Sequence, residues 1–501
     1  MANVLVGSLW LKERYQLNQY SLTHSSYIGS NDSIEHTSKG NIEQVYGLKY
    51  AVAFDTALLH LEFSLKYDDL NLDFLQAVFK KIPVEDIVAF IEATPSGRYA
   101  RKTGFLYELL TDEKLKLTKV ITGNYFDLLE TEKYIAGNIT KDSRWRINNN
   151  LLGTAFYCPM VRRTSILTNL LNKNIPQKIE QLKNSFPADI FQRANNYLYN
   201  KETRSSYEIE KEQPSPDRME KFIAILRRAG TEQTTAILDE VRLIALQNAI
   251  VDQRFAAAAF RDFQNYIGQS MDGFRELIHY ICPPPEILKT LMDGLKDSAE
   301  KTAGIIPEVR AAIIAFGFVF IHPFEDGNGR LHRFLIHDIL VHDGIVPQGL
   351  IIPVSAHMLN NIRDYDNILE NYSKTLMQRI KYNKKDSGEI EIVNGVEVEG
   401  YFRYPDLTDQ CIYLAETIHA TLNEDMPNEL IFIQRYDEVK KALQHIVDMP
   451  DRIINLMIMF LHQHKGVFPK RRREEFAKLT DDEINEMQVV FRKIFEMDRL
   501  T

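Results

Sequence analysis

Cysteines and long apolar runs are in short supply in this 501-residue sequence, and its 60 Lys and Arg residues are outnumbered by 69 Asp and Glu. Cys158, Cys282 and Cys411 lie far apart, so the sequence contains neither a disulfide framework nor a cysteine metal site. No apolar run reaches the ~20 residues that a membrane-spanning helix needs, and residues 1–10 lack the basic start of a secretory signal. The net charge of −9 argues against nonspecific nucleic-acid binding. We therefore expect a cytoplasmic protein that binds neither membranes nor nucleic acid.

Repeats, low-complexity tracts and the Gly-Lys-Ser/Thr ending of a P-loop are missing as well, which excludes a P-loop kinase or phosphatase. Helical periodicity dominates instead, as in Ala51–Lys66, where Phe54, Leu58, Leu61 and Leu65 share one stripe. Polar, proline-containing residues 201–217 and a lysine-rich segment at 384–388 predict two boundaries. They divide the chain into 1–213, a core at 214–383, and 384–501. Alternation around Asn394-Gly395 predicts a β-hairpin over 390–398.

The most informative segment runs from His322 to Arg333. The preceding residues, Pro307–Ile321, are apolar on every side after the first turn, which predicts a buried helix. A second helix is expected over Arg330–Val341, which has no proline or glycine. The loop between them therefore lies at a helix N-terminus, where free N–H groups and the helix dipole attract anions. The segment is typical of a phosphate-binding loop.

The residue types of this loop fit that interpretation. Gly327 and Gly329 leave no side chain between the backbone N–H groups and a phosphate. Arg330 and Arg333 fall on one helix face, and guanidinium groups suit phosphate oxygens well.

Two further side chains of the segment bring chemistry to the loop. Asp326 offers the hard carboxylate oxygen that Mg²⁺ prefers when phosphates already hold the ion. His322 ends the buried helix, and its reference pKa near ~6.5 suits a general base. An ordinary Asp/Asn/Gly-rich turn would explain neither the buried helix nor the arginine pair.

At these residues the chain resembles the Fic-domain family, whose signature is His, any residue, Phe, any residue, Asp or Glu, Gly-Asn-Gly-Arg, two residues, Arg. The resemblance implies transfer of AMP from ATP to a Ser, Thr or Tyr hydroxyl of a target protein. It implies that His322 deprotonates the hydroxyl and that Phe324 anchors the loop. Asp326 would hold Mg²⁺. The anion site and the β- and γ-phosphate contacts would come from Gly327, Asn328, Gly329, Arg330 and Arg333.

The resemblance extends beyond this signature. The segment Phe274–Glu286 resembles the family's flap, a hairpin that pairs with the backbone of the target by strand addition. Its docking residues would be Leu277, Ile278, His279 and Tyr280, although a proline-closed loop would read similarly. Tyr365 falls where similar proteins place a tyrosine near the adenine, but an aromatic residue on a helix is more often part of the core.

Many Fic proteins also carry an inhibitory helix with Ser or Thr, three residues, Glu, then Gly or Asn. Its glutamate pairs with the second arginine of the signature. Residues 24–31 resemble this helix, with Ser25 at its first position, but Gly29 stands at the glutamate position and Ser30 at the next. Either a native glutamate was replaced by Gly29, which we favour, or the protein is regulated otherwise, or the segment is a simple turn. We expect Arg333 to lack its inhibitory partner and the enzyme to be constitutively active.

The sequence thus predicts a mainly α-helical fold, with an all-helical Fic core, a small β-hairpin flap, and helical N-terminal and C-terminal regions. The expected function is AMP transfer from Mg·ATP, with self-modification and homo-oligomerisation left open. Removal of AMP, transfer of another phosphate-linked group, and a regulatory binding protein with a vestigial site are the alternatives. Gly29 argues against the first of these, and the intact His322, Asp326 and both arginines argue against the last.

Overall fold

The fold is mainly α-helical, as predicted, in a computed structural model that describes residues 3–37, 41–271, 275–385 and 387–496. The helices, α1 to α21 in chain order, are Gly7–Arg14, Ala57–Tyr67, Leu72–Phe79, Val84–Ala93, Arg98–Thr111, Ser165–Leu171, Ile175–Ser185, Ala188–Ile209, Pro216–Arg227, Thr234–Ile237, Glu240–Ile250, Pro285–Lys301, Pro307–Ile321, Asn328–His342, Val354–Asn360, Ile362–Met377, Gly395–Arg403, Thr408–Ala420, Met426–Ile446, Asp451–Gln463 and Asp481–Ile494. The strands, β1 to β11, are Val4–Val6, His24–Gly29, Ser33–His36, Ile42–Gly47, Phe126–Asp127, Thr140–Asp142, Ile147–Asn149, Tyr266–Met271, Arg275–Ile281, Tyr382–Lys384 and Ile390–Ile392.

Helix α13 lies at the centre of the predicted core. Its residues from Glu308 to Ile321 are all buried, as the apolar sequence predicts. It packs against α12 and α14, and α14 also contacts α9, α10 and α11. The antiparallel hairpin β8–β9 packs against α16 beside this bundle. Phe274, with which the predicted flap segment begins, lies outside the described residues. The loop that joins α13 to α14 is therefore flanked by two buried helices.

The N-terminal region is less helical than predicted, because β1 to β4 form a sheet in the order β1-β2-β4-β3. Residues 24–29, expected in an inhibitory helix, form β2 in this sheet, paired in parallel with β4. The helix predicted over Ala51–Lys66 begins only at Ala57. Phe54, placed on its apolar stripe, is 73% exposed. Burial in β2 alternates, with His24, Ser26 and Ile28 buried, a two-residue period that the helical prediction overlooked.

The β-hairpin predicted around Asn394-Gly395 is wrong. Strands β10 and β11 do pair, but the chain turns between Lys384 and Ile390. Asn394 instead precedes α17, where its side chain accepts from the Lys381 N–H (2.7 Å) and donates to the Arg379 carbonyl (3.0 Å). Asparagine is common both at helix starts and in tight turns, which explains the ambiguity.

The chain divides into two compact units. The first comprises Met1–Asn174, Thr203–Leu350 and Val354–Thr417, and the second comprises Ile175–Glu202, Ile351–Pro353 and Ile418–Thr501. The second has its own core, in which Val439, Leu443, Met457 and Phe491 are buried. The division into segments 1–213, 214–383 and 384–501 stays a prediction. Within the described ranges, every helix is too short or too polar to cross a bilayer.

Candidate active site

His322 lies at the end of α13 with a left-handed backbone, at φ +55°. Its ring Nδ1 lies 3.1 Å from the Val319 carbonyl oxygen. Because a carbonyl can only accept, Nδ1 carries the proton and Nε2 keeps its lone pair. Burial lowers the pKa of His322 to about 4. The side chain is therefore a neutral, oriented base at physiological pH.

The loop after His322 is closed by its own side chains. Phe324 is 1% exposed and packs edge-on against Phe260 at 5.5 Å between ring centres. The Asn328 amide accepts from the Phe324 N–H (3.0 Å) and donates to the Phe324 carbonyl (2.8 Å). Gly327 precedes α14 at φ +91°, a conformation that favours glycine. The Asn328 side chain thus fixes the loop. The first N–H groups of α14 lie at the N-terminus of the helix, the end that attracts anions.

Both arginines of the signature are buried, each with a side chain 1% exposed. Arg330 makes a two-point contact with Glu212, at 2.8 and 3.0 Å, and a third contact with Asp326 at 2.5 Å. Arg333 binds Glu210 at 2.8 Å and also donates to the Ser206 hydroxyl and carbonyl. Burial opposes the charge of Arg333, but Glu210 and Tyr365 together raise its pKa.

This pairing corrects the expectation that Arg333 lacks a carboxylate partner. Glu210 follows α8, in a turn that the Lys211 N–H closes onto the Glu208 carbonyl (2.9 Å) and the Glu212 N–H onto the Tyr207 carbonyl (3.0 Å). These two bonds define a Schellman C-cap, with Lys211 in the left-handed region at φ +58°. The cap places Glu210 and Glu212, two residues apart, on the two arginines.

The carboxylate of Glu210 occupies the space above the glycine loop. A Cβ added to Gly329 would lie 2.0 Å from Glu210 Oε1. Any larger residue at position 329 would therefore collide with this carboxylate. The site thus already holds an anionic group at the N-terminus of α14, in contact with Arg333.

The sequence contained a signal for Glu210. Ser206, three residues and Glu210 fit the inhibitory pattern named above, with Lys211 where Gly or Asn is usual. The left-handed φ of Lys211 explains why the pattern prefers Gly or Asn there, since both adopt this conformation at low cost.

The inhibitory helix predicted at Ser25 and Gly29 is wrong, because both residues lie in β2. A Cβ at Gly29 would lie 2.6 Å from the Val45 side chain and 2.7 Å from that of Asn3, so close packing explains this glycine.

Tyr365 is 3% exposed, and its hydroxyl lies 3.4 Å from Arg333 Nη1. The tyrosine therefore supports the second arginine, and its adenine role stays a prediction. In the flap, Leu277 is 48% exposed, and Ile278 and His279 are partly buried. Tyr280 is buried and donates to the Phe320 carbonyl, so it faces the core instead of a target.

Asp326 has the chemistry and position to contact a metal ion. Its side chain is 32% exposed, and Oδ1 accepts from the Gly327 N–H (2.6 Å) and from Arg330. A single, partly exposed carboxylate beside an anion site fits Mg²⁺ whose other ligands are phosphate oxygens and water.

Comparison with known proteins supports the family resemblance. Residues 237–340 match the model of the Fic/DOC family. This range contains the flap hairpin, α13 and most of α14, with the whole segment from His322 to Arg333. The chain therefore contains a Fic/DOC family domain.

One similar protein is protein adenylyltransferase fic-1 of Caenorhabditis briggsae, 33% identical over 146 residues. The match covers 27% of this chain and 26% of that relative. A Fic family protein of Desulfovibrio desulfuricans G20 has a TM-score of 0.38 at 17% identity, covering 67% of this chain and 89% of that one. A Fic-domain signalling protein of Bacteroides thetaiotaomicron VPI-5482 has a TM-score of 0.32 at 19% identity, covering 51% and 98%. Both structural similarities are too low to add to the assignment.

Proposed function

We propose that this protein transfers AMP from Mg·ATP to Ser, Thr or Tyr hydroxyls of a target protein. One observation carries the proposal: a neutral, oriented histidine stands beside a helix N-terminus that holds anionic groups with two buried arginines. The name of the similar Caenorhabditis protein agrees with the proposal.

In the proposed reaction, the target hydroxyl oxygen attacks the α-phosphorus of ATP. The bond from the α-phosphorus to its bridging oxygen breaks, and pyrophosphate leaves in line. The hydroxyl proton passes to Nε2 of His322, since Nδ1 is held by Val319. Arg330 and Arg333 would hold the β- and γ-phosphates, and the α14 N-terminus would stabilise the developing charge.

Asp326 is the residue that would hold Mg²⁺. When bound, the ion would neutralise phosphate charge and align the phosphate chain. Asp326 also accepts from Arg330, so it positions this arginine.

The resting chain is expected to be inhibited, contrary to the constitutive activity expected from Gly29. Glu210 and Glu212 occupy the arginines that the phosphates would need. ATP would bind productively only after Glu210 leaves Arg333. We refer to Glu210–Glu212 as the plug.

Labelling with α-labelled ATP tests this function. The purified chain and a cell lysate would be incubated with Mg²⁺ and labelled ATP, for the natural sequence and for Glu210→Ala. We expect Glu210→Ala to raise labelling roughly tenfold or more, because a charged hydrogen bond worth about 1.5 kcal/mol competes with the nucleotide.

Two variants control this experiment. Glu208→Ala removes an exposed carboxylate from the end of α8, two residues before Glu210, and should leave labelling unchanged. His322→Ala in the Glu210→Ala background should abolish labelling. Label that persists without His322, or no label in any variant despite Mg·ATP binding, would contradict the proposal. The second result would favour a different transferred group or a binding protein with a Fic fold.

Removal of AMP is a second candidate, because Glu210 is in place. In similar proteins the inhibitory glutamate often positions water for this hydrolysis. Incubation of AMP-labelled target with the natural chain and with Glu210→Ala would separate the two activities. Loss of label that requires Glu210 would favour hydrolysis.

A further inference from the structure

The last four backbone carbonyls of α13 all accept hydrogen bonds. Helix ends leave four carbonyls without helical partners. Here the Phe318 carbonyl accepts from the His322 N–H (3.0 Å), and the Val319 carbonyl accepts from the His322 ring. The Phe320 carbonyl accepts from the Tyr280 hydroxyl. The Ile321 carbonyl has a different kind of partner, a buried guanidinium.

That guanidinium belongs to Arg261, which is 5% exposed. Arg261 Nε donates to the His322 carbonyl (2.8 Å), and Nη2 lies 3.4 Å from the Ile321 carbonyl. Its backbone N–H donates to the Pro323 carbonyl (2.9 Å). Three consecutive carbonyls, on both sides of the catalytic ring, are thus bound by one residue.

The same side chain also reaches the base of the flap. Nη1 donates to the Phe263 carbonyl (2.8 Å) and Nη2 to the Pro283 carbonyl (2.7 Å). Phe263 and Pro283 lie just outside β8 and β9. The planar group therefore joins both ends of the hairpin to the residue that carries the base. Lysine could not satisfy these separate directions, because it lacks a rigid set of donors.

We propose that Arg261 is a positioning residue for His322, which fixes the left-handed turn of the base and ties it to the flap. The inference rests on the proposed transfer reaction. A left-handed conformation is unfavourable for a non-glycine residue, so His322 needs such outside support.

Arg261 also acts on His322 through its charge. Burial is the main cause that lowers the pKa of His322. The Arg261 cation lowers this pKa further, while Glu210 and Asp326 raise it. A neutral residue at 261 would therefore raise the pKa of the base. Since the neutral imidazole is the active form, the acid limb of the rate profile would move to higher pH.

The test compares Arg261→Gln and Arg261→Lys in the full chain, with Glu210→Ala as the parent. We expect Arg261→Gln to lower kcat by about 10²-fold, as misplaced catalytic groups do, and to move the acid limb to higher pH. Arg261→Lys should lower kcat but leave the acid limb near its parental position. Mg·ATP affinity should stay unchanged in both. Arg228→Gln removes a 72% exposed arginine and should match the parent.

Each outcome decides. An unchanged kcat and acid limb in Arg261→Gln would overturn the inference. Loss of Mg·ATP binding in Arg261→Gln would indicate that this variant is misfolded. The Arg261→Lys variant would then test the inference, and an unchanged kcat in it would overturn the positioning role of Arg261. A parent without His322-dependent transfer would instead contradict the proposed function. In that case an NMR titration of the His322 ring still tests Arg261, and an identical pKa in parent and Arg261→Gln would overturn its role.

Discussion

At the scale of single residues, Lys211 adopts an unfavourable left-handed backbone conformation near the site. It stands between Glu210 and Glu212 at φ +58°, in the cap that turns both carboxylates towards the arginines. A lysine Cβ makes this conformation unfavourable, whereas glycine adopts it freely. The plug is therefore formed at a cost in backbone energy.

We predict that Lys211→Gly stabilises the plugged protein. Relief of the left-handed strain should raise the free energy of unfolding by about 0.5–1 kcal/mol, after the loss from glycine's greater freedom in the unfolded chain. Basal labelling should fall with it. Urea unfolding and the labelling assay measure the two effects.

Lys289→Gly is the matched control for this prediction. Lys289 is 75% exposed within α12, where glycine should cost about 1 kcal/mol. If Lys211→Gly destabilised the protein as this control does, residue 211 would not adopt the left-handed turn in solution.

At the scale of elements, the β8–β9 hairpin divides its residues between two tasks. Tyr280 faces inward and donates to the last turn of α13, while Leu277 is 48% exposed. The hairpin is thus anchored at its base and exposes Leu277, one of the residues predicted to contact a target strand. Backbone pairing would supply affinity there, with side-chain contacts adding selectivity.

We predict that Leu277→Asp weakens labelling of the target protein. A charge on the exposed face should raise the KM for the target several-fold and leave Mg·ATP affinity unchanged, because the phosphate site lies on other elements. Steady-state labelling in the Glu210→Ala background measures both constants. Val241→Asp places the same charge on α11, where Val241 is 81% exposed. Equal effects of the two variants would argue against docking at the hairpin.

The elements differ in how far the sequence predicted them. The apolar run of α13 has a strong local cause, and the buried helix that it predicts is present. The sheet β1–β4 depends on a parallel pairing between residues distant in sequence, which no short-range pattern reveals. Glu210 was missed because Lys211 departs from the usual Gly or Asn, although its backbone conformation is the expected one. Arg261 could not be predicted, since its partners are carbonyls, which any sequence supplies.

At the scale of the whole molecule, buried histidines make stability depend on pH. His332 is fully buried beside Phe316, at 4.7 Å between ring centres, and burial lowers its pKa to about 3. An unfolded chain protonates its histidines near pH ~6.5. Between these values the unfolded state binds the proton and the folded state does not, so stability falls as the pH is lowered.

We predict that His332 lowers the free energy of unfolding by about 1.4 kcal/mol for each pH unit below about 6.5, until the pH approaches 3. His332→Gln should reduce this slope, whatever its effect at pH 7. Urea unfolding at several pH values measures the slope. Phe316→Leu disturbs the same contact without removing a titrating group, so it should lower stability and preserve the slope. An unchanged slope in His332→Gln would contradict the prediction.

The plug also changes how concentration governs the site. Glu210 and Glu212 are joined by the chain to the arginines they bind, so they act as a tethered ligand with an effective concentration fixed by the tether. Dilution does not release such a ligand, and a higher protein concentration does not raise its effective concentration. Free nucleotide gains access only in proportion to its own concentration and affinity relative to that fixed value. An activator need not touch a phosphate at all: moving the end of α8 away from α14 would lower the effective concentration and admit nucleotide.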